Sequence, residues 1–96
     1  MDCNIPARVL RDICAYARAH SVERVLLFGS RARGTNGERS DIDIAVYGGD
    51  FASFYEDVKE KSHSLLMFDV IDGNGKMSEE LRAEIAREGI VIYEKA

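Results

Sequence analysis

Length, composition and charge limit what this chain can be. It has 96 residues, of which 46% are hydrophobic and 31% charged, which is typical of one globular domain over residues 1–96. No apolar run exceeds five residues and no signal pattern opens the sequence, so we expect no membrane association and a cytoplasmic location. The net charge of −4 argues against a protein that coats nucleic acid, and we expect no direct nucleic-acid partner.

The charges are unevenly distributed along the chain. Residues 1–48 contain seven arginines, no lysine and six acidic residues, whereas residues 49–96 contain six basic and eleven acidic residues. The planar guanidinium of arginine binds phosphate and carboxylate groups bidentately, which favours such a ligand for the first half. A chance bias in so short a segment accounts for the pattern about equally well.

Hydrophobic periodicity and turn residues predict alternating helices and strands. Apolar residues at helical spacing predict a first helix over residues 6–20, beginning at Pro6. The next elements are a strand Val25–Phe28, a short helix from Ser30 to Gly34, a strand Asp41–Tyr47, a helix capped by Asp50, a strand Leu65–Ile71, a helix capped by Ser78 and closed by Gly89, and a strand Ile90–Tyr93. This order predicts an α/β or α+β sandwich with one small sheet.

The segment from Gly29 to Val46 carries the most informative pattern. Gly29 and Ser30 end a predicted strand, where a glycine lets backbone N–H groups, the Ser30 hydroxyl and a following helix approach phosphate oxygens. After ten intervening residues, Asp41 and Asp43 lie two apart on a strand and therefore on one face. Paired carboxylates repel each other unless a cation lies between them, and oxygen ligands suit Mg²⁺.

A third acidic residue, Asp69, lies inside the apolar run of the third predicted strand. A lone carboxylate in a buried strand is costly, so we expect Asp69 to join Asp41 and Asp43 if the third strand lies beside the second. Three carboxylates on adjacent strands would form a two-metal site for phosphoryl or nucleotidyl transfer. The alternatives are an exposed strand end for Asp69 and a solvated strand face, next to Arg33 or Arg39, for the other two.

Together these residues resemble a known family. Gly29-Ser30, ten residues, Asp41-x-Asp43 and a later Asp69 between apolar residues are similar to the nucleotidyltransferase superfamily of DNA polymerase β. The form of residues 29–34 and 40–43 resembles its minimal nucleotidyltransferases, and the resemblance covers almost the whole chain. It implies a small mixed sheet with helices mainly on one side.

The resemblance also implies a role for each matching residue. Gly29 and Ser30 would hold the β- and γ-phosphates of a nucleoside triphosphate, and Asp41 and Asp43 would bind the Mg²⁺ ions. Asp69 would complete the second metal site and help to activate the acceptor hydroxyl.

The same resemblance implies a candidate role for two arginines. Arg31 and Arg33 are candidates for contacts with the triphosphate, with ordinary surface charge as the alternative.

The resemblance also implies the reaction: ATP would donate AMP to an acceptor hydroxyl with Mg²⁺ as cofactor. Minimal nucleotidyltransferases are often paired with a helical HEPN-domain protein that acts as a toxin. The acceptor would then be a tyrosine of this toxin, and the chain would be its antitoxin. A second copy of the chain is the other candidate partner. Neutralisation by contact alone and transfer to a small molecule stay open as alternatives.

Overall fold

The computed structural model describes residues 5–37, 39–61 and 67–95. In this part of the chain the elements are α1 Ala7–Ala19, β1 Arg24–Phe28, α2 Ser30–Arg33, β2 Ile42–Tyr47, α3 Phe51–Lys61, β3 Phe68–Asp72, α4 Glu79–Glu88 and β4 Ile90–Glu94. The predicted order of helices and strands is confirmed. Across these ranges, none of the helices combines the length and the apolar character that a membrane crossing requires.

The strands form one mixed sheet in the order β3-β2-β1-β4. β1 is antiparallel to β2 and to β4, whereas β2 and β3 are parallel. The parallel pair is possible because α3 returns the chain to the end of the sheet where β2 begins. The end of β1 therefore lies beside the beginnings of β2 and β3.

The helices cover the two faces of the sheet unequally. α1 and α3 pack together on one face, over alternate residues of the central strands, and this larger core includes Val9, Ile13, Val25, Leu27, Ile42, Ile44, Phe54 and Val58. On the other face α4 contributes Ile85, which clusters with Phe28 and Ala45. The prediction of helices mainly on one side of the sheet holds for α1 and α3. The remaining helix, α4, covers the opposite face only in part, and this face is partly open near Asp43.

Local sequence signals set the beginnings of two helices. Ser78 caps α4, since its Oγ accepts a hydrogen bond from the Leu81 N–H at 3.1 Å. Asp50 caps α3, because its carboxylate accepts bonds from the Ser53 N–H at 3.2 Å and from the Ser53 hydroxyl at 2.7 Å. Both caps agree with the sequence prediction.

The third predicted strand differs most from the observed one. β3 begins at Phe68 and ends at Asp72, whereas residues 65 and 66 of the predicted strand lie outside the described part of the chain. Phe68 and Val70 are buried, and Asp69 between them is exposed on the opposite face. The expectation that Asp69 lies in a buried environment is therefore wrong, because the strand is buried on one face only.

Candidate active site

Three of the predicted site residues lie side by side at one end of the sheet. The strand register places Asp43 opposite Phe28 on β1 and opposite Asp69 on β3. Gly29 directly follows Phe28, so it lies next to Asp43 as well. Residues in register on neighbouring strands share a face, and the carboxylates of Asp43 and Asp69 therefore lie together on the α4 face.

The close approach of the Asp43 carboxylate to Gly29 depends on the absence of a side chain at Gly29. The backbone of Gly29 has a φ of 77°, in the left-handed region that favours glycine. A Cβ at this position would occupy the space of the Asp43 carboxylate. The strand-to-helix turn at Gly29 thus allows a contact that any other residue would block.

The Asp43 carboxyl lies in an environment that disfavours its charge. Burial raises its pKa from 3.8 to about 6, and the negative charges of Asp69, Asp41 and Glu84 add to this effect. The positive charge of Arg33 acts in the opposite direction. A divalent cation beside Asp43 would offset both the lost hydration of its carboxylate and the repulsion from the neighbouring carboxylates.

A cavity of about 510 Å³ opens in front of Asp43. We call it the aspartate groove, and it is lined by Gly29, Ser30, Arg33, Arg39, Ser40, Asp41, Asp43 and Glu84. The lining combines α2, the segment before β2, β2 itself and one side of α4. Asp69 lies beside the groove, on the strand next to Asp43.

Other cavities in the described part of the chain are larger. One, of about 610 Å³, is at the opposite end of the strands around Glu23 and Tyr47. Another, of about 680 Å³, lies along α3 at Phe51 and Tyr55. Neither adjoins the contact between Gly29 and Asp43, so the chemistry of the residues and not the volume identifies the candidate site.

The two predicted arginines occupy different environments. The Arg33 side chain is 45% exposed and lines the aspartate groove, and its Nη1 donates a hydrogen bond to Glu88 Oε1 at 2.9 Å. Arg31 is only 4% exposed, and its Nε donates to the Ser40 carbonyl at 3.1 Å. A contact with a triphosphate in the groove therefore fits the position of Arg33 better than that of Arg31.

Sequence reasoning missed the contribution of α4. Glu84 lines the groove and Glu88 pairs with Arg33, although both lie far along the chain from the glycine and aspartate motif. Their spacing of four residues puts them on one side of α4, next to the buried Ile85. This spacing was the available signal, and it does not indicate which end of the sheet the two side chains reach.

The oxygen ligands at the groove fit Mg²⁺. Among residues 5–37, 39–61 and 67–95, no three His, Cys, Asp or Glu side chains are placed to hold a metal ion by themselves. Mg²⁺ typically uses one or two carboxylates and completes its octahedron with water and substrate phosphates. Asp41 and Asp43 can supply that number, and the raised pKa of Asp43 marks a position where a cation would be stabilising.

Comparison with known proteins identifies the family. The sequence profile of the family described as Polymerase beta, Nucleotidyltransferase matches residues 11–96. The chain therefore belongs to the polymerase β nucleotidyltransferase family, as its motifs indicated. No curated protein matches the sequence.

Solved structures share the fold. A chain in a crystal structure of a toxin–antitoxin with AMP-PNP has a TM-score of 0.71 and 25% sequence identity, over 90% of this chain and 73% of that chain. A chain in a crystal structure of a mutant of the toxin–antitoxin MntA-HpeT has a TM-score of 0.68 and 21% identity over the same shares. The predicted polymerase β-like fold is thereby confirmed.

Proposed function

We propose that this chain transfers AMP from ATP, in the presence of Mg²⁺, to a hydroxyl group of a partner protein. The observation that carries the proposal is the environment of Asp43, which contacts the turn at Gly29, faces Asp69 and has a pKa raised to about 6. A partly buried carboxylate with three acidic neighbours is destabilising for the fold. Such positions are typical of catalytic and cation-binding sites and not of a solvated strand face.

The groove offers separate surfaces for the triphosphate and for Mg²⁺. Gly29, Ser30 and Arg33 would contact the phosphates through backbone N–H groups, a hydroxyl and a guanidinium. Asp41 and Asp43 would hold the Mg²⁺. When bound, Mg²⁺ neutralises phosphate oxygens and makes the α-phosphorus more electrophilic.

The chemical step follows from this arrangement. The oxygen of the acceptor hydroxyl attacks the α-phosphorus of ATP, a new P–O bond forms, and the bond between the α-phosphorus and the bridging oxygen breaks to release pyrophosphate. Asp69 is exposed beside Asp43 and would take the proton of the acceptor hydroxyl. Arg33 would stabilise the negative charge that moves onto the leaving pyrophosphate.

The acceptor in this proposal is a tyrosine of a HEPN-domain toxin, for which the chain acts as antitoxin. Two observations support it. Both structural neighbours come from toxin–antitoxin structures, one of them with AMP-PNP. The candidate proton acceptor Asp69 lies exposed at the edge strand, where a hydroxyl on the surface of another protein can reach it.

Intact-mass measurement tests the proposal. The purified chain is incubated with ATP, Mg²⁺ and the protein encoded by the neighbouring gene, and the masses of both proteins are recorded. We expect the neighbour to gain one or more AMP units, and the gain to be absent with the Asp41→Ala/Asp43→Ala variant. A stable complex that neutralises the toxin without any mass change would contradict transfer and favour neutralisation by contact.

A further inference from the structure

Asp41 is held from both sides although it lies outside the strand. β2 begins at Ile42, and the Ile42 N–H donates a hydrogen bond to the Met67 carbonyl at 2.9 Å. On the other side of Asp41, the Ser40 carbonyl accepts the hydrogen bond from Arg31 Nε at 3.1 Å. The Ser40 carbonyl and the Asp41 Cα belong to one planar peptide, so this bond orients the peptide that carries Asp41.

The burial of the Arg31 side chain is unusual for a charged residue. Arg31 is 4% exposed and is the one charged side chain classed as buried within the described ranges. A buried guanidinium loses its hydration, and this loss is tolerated only when its donors are paired. Its rigid planar fork can direct a hydrogen bond to a chosen carbonyl, which the flexible ammonium of lysine does less well.

The segment before Asp41 is further tied to itself and to α2. The Ser40 Oγ accepts a bond from the Gly37 N–H at 2.8 Å, and the Ser40 N–H donates to the Gly37 carbonyl at 3.3 Å. The Thr35 N–H donates to the Ser30 carbonyl at 3.0 Å. Arg31 therefore joins two parts of the groove, the α2 side with Ser30 and the segment that ends at Asp41.

We propose that Arg31 is a positioning residue whose guanidinium fixes the Ser40–Asp41 peptide and thereby directs the Asp41 carboxylate toward the divalent cation, without touching the triphosphate. The inference rests on the proposed function. It assigns different tasks to two arginines of one short helix. Arg31 orients a metal ligand from beneath the groove, and Arg33 faces the groove itself.

Binding of Mn²⁺, followed by electron paramagnetic resonance, tests this assignment with and without AMP-PNP. The samples are the wild type, Arg31→Lys, Arg31→Gln, Arg33→Gln and, as an exposed control on α1, Arg11→Gln. We expect Arg31→Lys and Arg31→Gln to weaken Mn²⁺ binding in the absence of nucleotide by about tenfold, the size of effect seen when support of a metal ligand is lost. Arg33→Gln removes a positive charge near Asp43, so it should not weaken Mn²⁺ binding in the absence of nucleotide and should weaken AMP-PNP binding instead.

The outcomes separate the two proposals. If the wild type does not bind Mn²⁺, either alone or in the presence of AMP-PNP, the proposed function itself fails. If the wild type binds Mn²⁺ and the Arg31 variants bind it equally well with an unchanged spectrum, the positioning role is overturned. A purely structural role would lower the Tm of Arg31→Lys and leave Mn²⁺ affinity unchanged at temperatures well below that Tm.

A second variant covers the case in which the Arg31 variants do not fold. Ser40→Ala removes the hydroxyl that holds the Gly37 N–H and loosens the same segment without touching the core. We expect weaker Mn²⁺ binding with little change in Tm. Wild-type Mn²⁺ affinity in Ser40→Ala would contradict the idea that this segment positions Asp41.

Discussion

Asp43 and Asp69 lie directly opposite each other on the parallel strands β2 and β3, with both carboxylates on the same face of the sheet. Like charges in this arrangement destabilise a strand pair. The apolar residues around them nevertheless fix the register, because Ile42, Ile44, Phe68 and Val70 are buried on the other face. A slip by one residue would move the carboxylates into the core, so the packing of α1 and α3 maintains the acidic pair.

Replacing Asp43 by asparagine should abolish transfer and stabilise the metal-free protein at neutral pH. The pKa of Asp43 rises from 3.8 to about 6 on folding, so the folded protein binds this proton more tightly than the unfolded chain. The penalty for ionised Asp43 is therefore absent below about pH 4, grows as the pH rises to about 6 and is complete above that. With allowance for partial exposure, we expect Asp43→Asn to gain about 1–2 kcal/mol at pH 8.

Urea unfolding at pH 4 and pH 8 in the presence of a chelator measures this gain. The exposed carboxylate of Glu60 on α3 provides the control variant, Glu60→Gln. An equal gain for Asp43→Asn at both pH values would show that the charge of Asp43 is not the cause.

Gly29→Ala should disrupt the site, whereas Gly37→Ala should not. At Gly29 the backbone (φ 77°, ψ −156°) and the Asp43 carboxylate both exclude a Cβ, and the strain of the backbone alone costs about 1–3 kcal/mol. At Gly37 a Cβ would lie 3.9 Å from Ser40 Oγ, an ordinary contact. Calorimetric titration with AMP-PNP and Mg²⁺ should show lost binding for the first variant and wild-type binding for the second.

The pair of Arg33 and Glu88 should affect nucleotide binding more than stability. The Arg33 side chain is 45% exposed, and ion pairs near the surface contribute about 0–1 kcal/mol to folding. Glu88→Gln removes the group that orients Arg33, and we expect the Kd of AMP-PNP to rise about threefold to tenfold, or roughly 1 kcal/mol. The swapped variant Arg33→Glu/Glu88→Arg should regain the ion pair but not the affinity. Unchanged affinity in Glu88→Gln would mean that Glu88 does not position Arg33.

The contact of His20 with Asp57 should make stability depend on acidic pH. His20 Nε2 lies 2.6 Å from Asp57 Oδ2, and Lys61 Nζ lies 3.1 Å from Oδ1. Hydrogen bonds from His20 and then Lys61 hold the pKa of Asp57 below its usual range. The stabilisation by ionised Asp57 is therefore present above the usual aspartate pKa and is lost as the pH falls through the lowered value.

Melting curves of Asp57→Asn and the wild type test this effect. We expect a lower Tm for the variant at pH 6 and a difference that shrinks as the pH falls below about 4. A difference that stays constant down to pH 3 would exclude the ionised carboxylate as its source.

The sequence predicted the elements and the central motif because both depend on local patterns. Helical spacing, the caps Asp50 and Ser78, and the alternation around Asp43 each act over a few residues and agree with the structure. The juxtaposition of Asp43 with Asp69 was predicted only on condition that the third strand lies beside the second. The strand order fulfils this condition.

The remaining features depend on contacts between distant parts of the chain. Arg33 and Glu88 join α2 to α4, and His20 and Asp57 join the end of α1 to α3. Periodicity does not indicate which helices meet. The different environments of Arg31 and Arg33 depend on which side of α2 faces the segment before β2. A helix of four residues is too short for its apolar pattern to indicate that side.

The most direct test of the proposed transfer uses ATP labelled either at the α- or at the γ-phosphorus, with the chain, Mg²⁺ and its partner protein. Transfer of AMP predicts that the α-label appears on the partner, that the γ-label leaves as pyrophosphate, and that Asp43→Asn abolishes both. Transfer of the γ-label to the partner, or equal α-labelling by Asp43→Asn, would contradict the account.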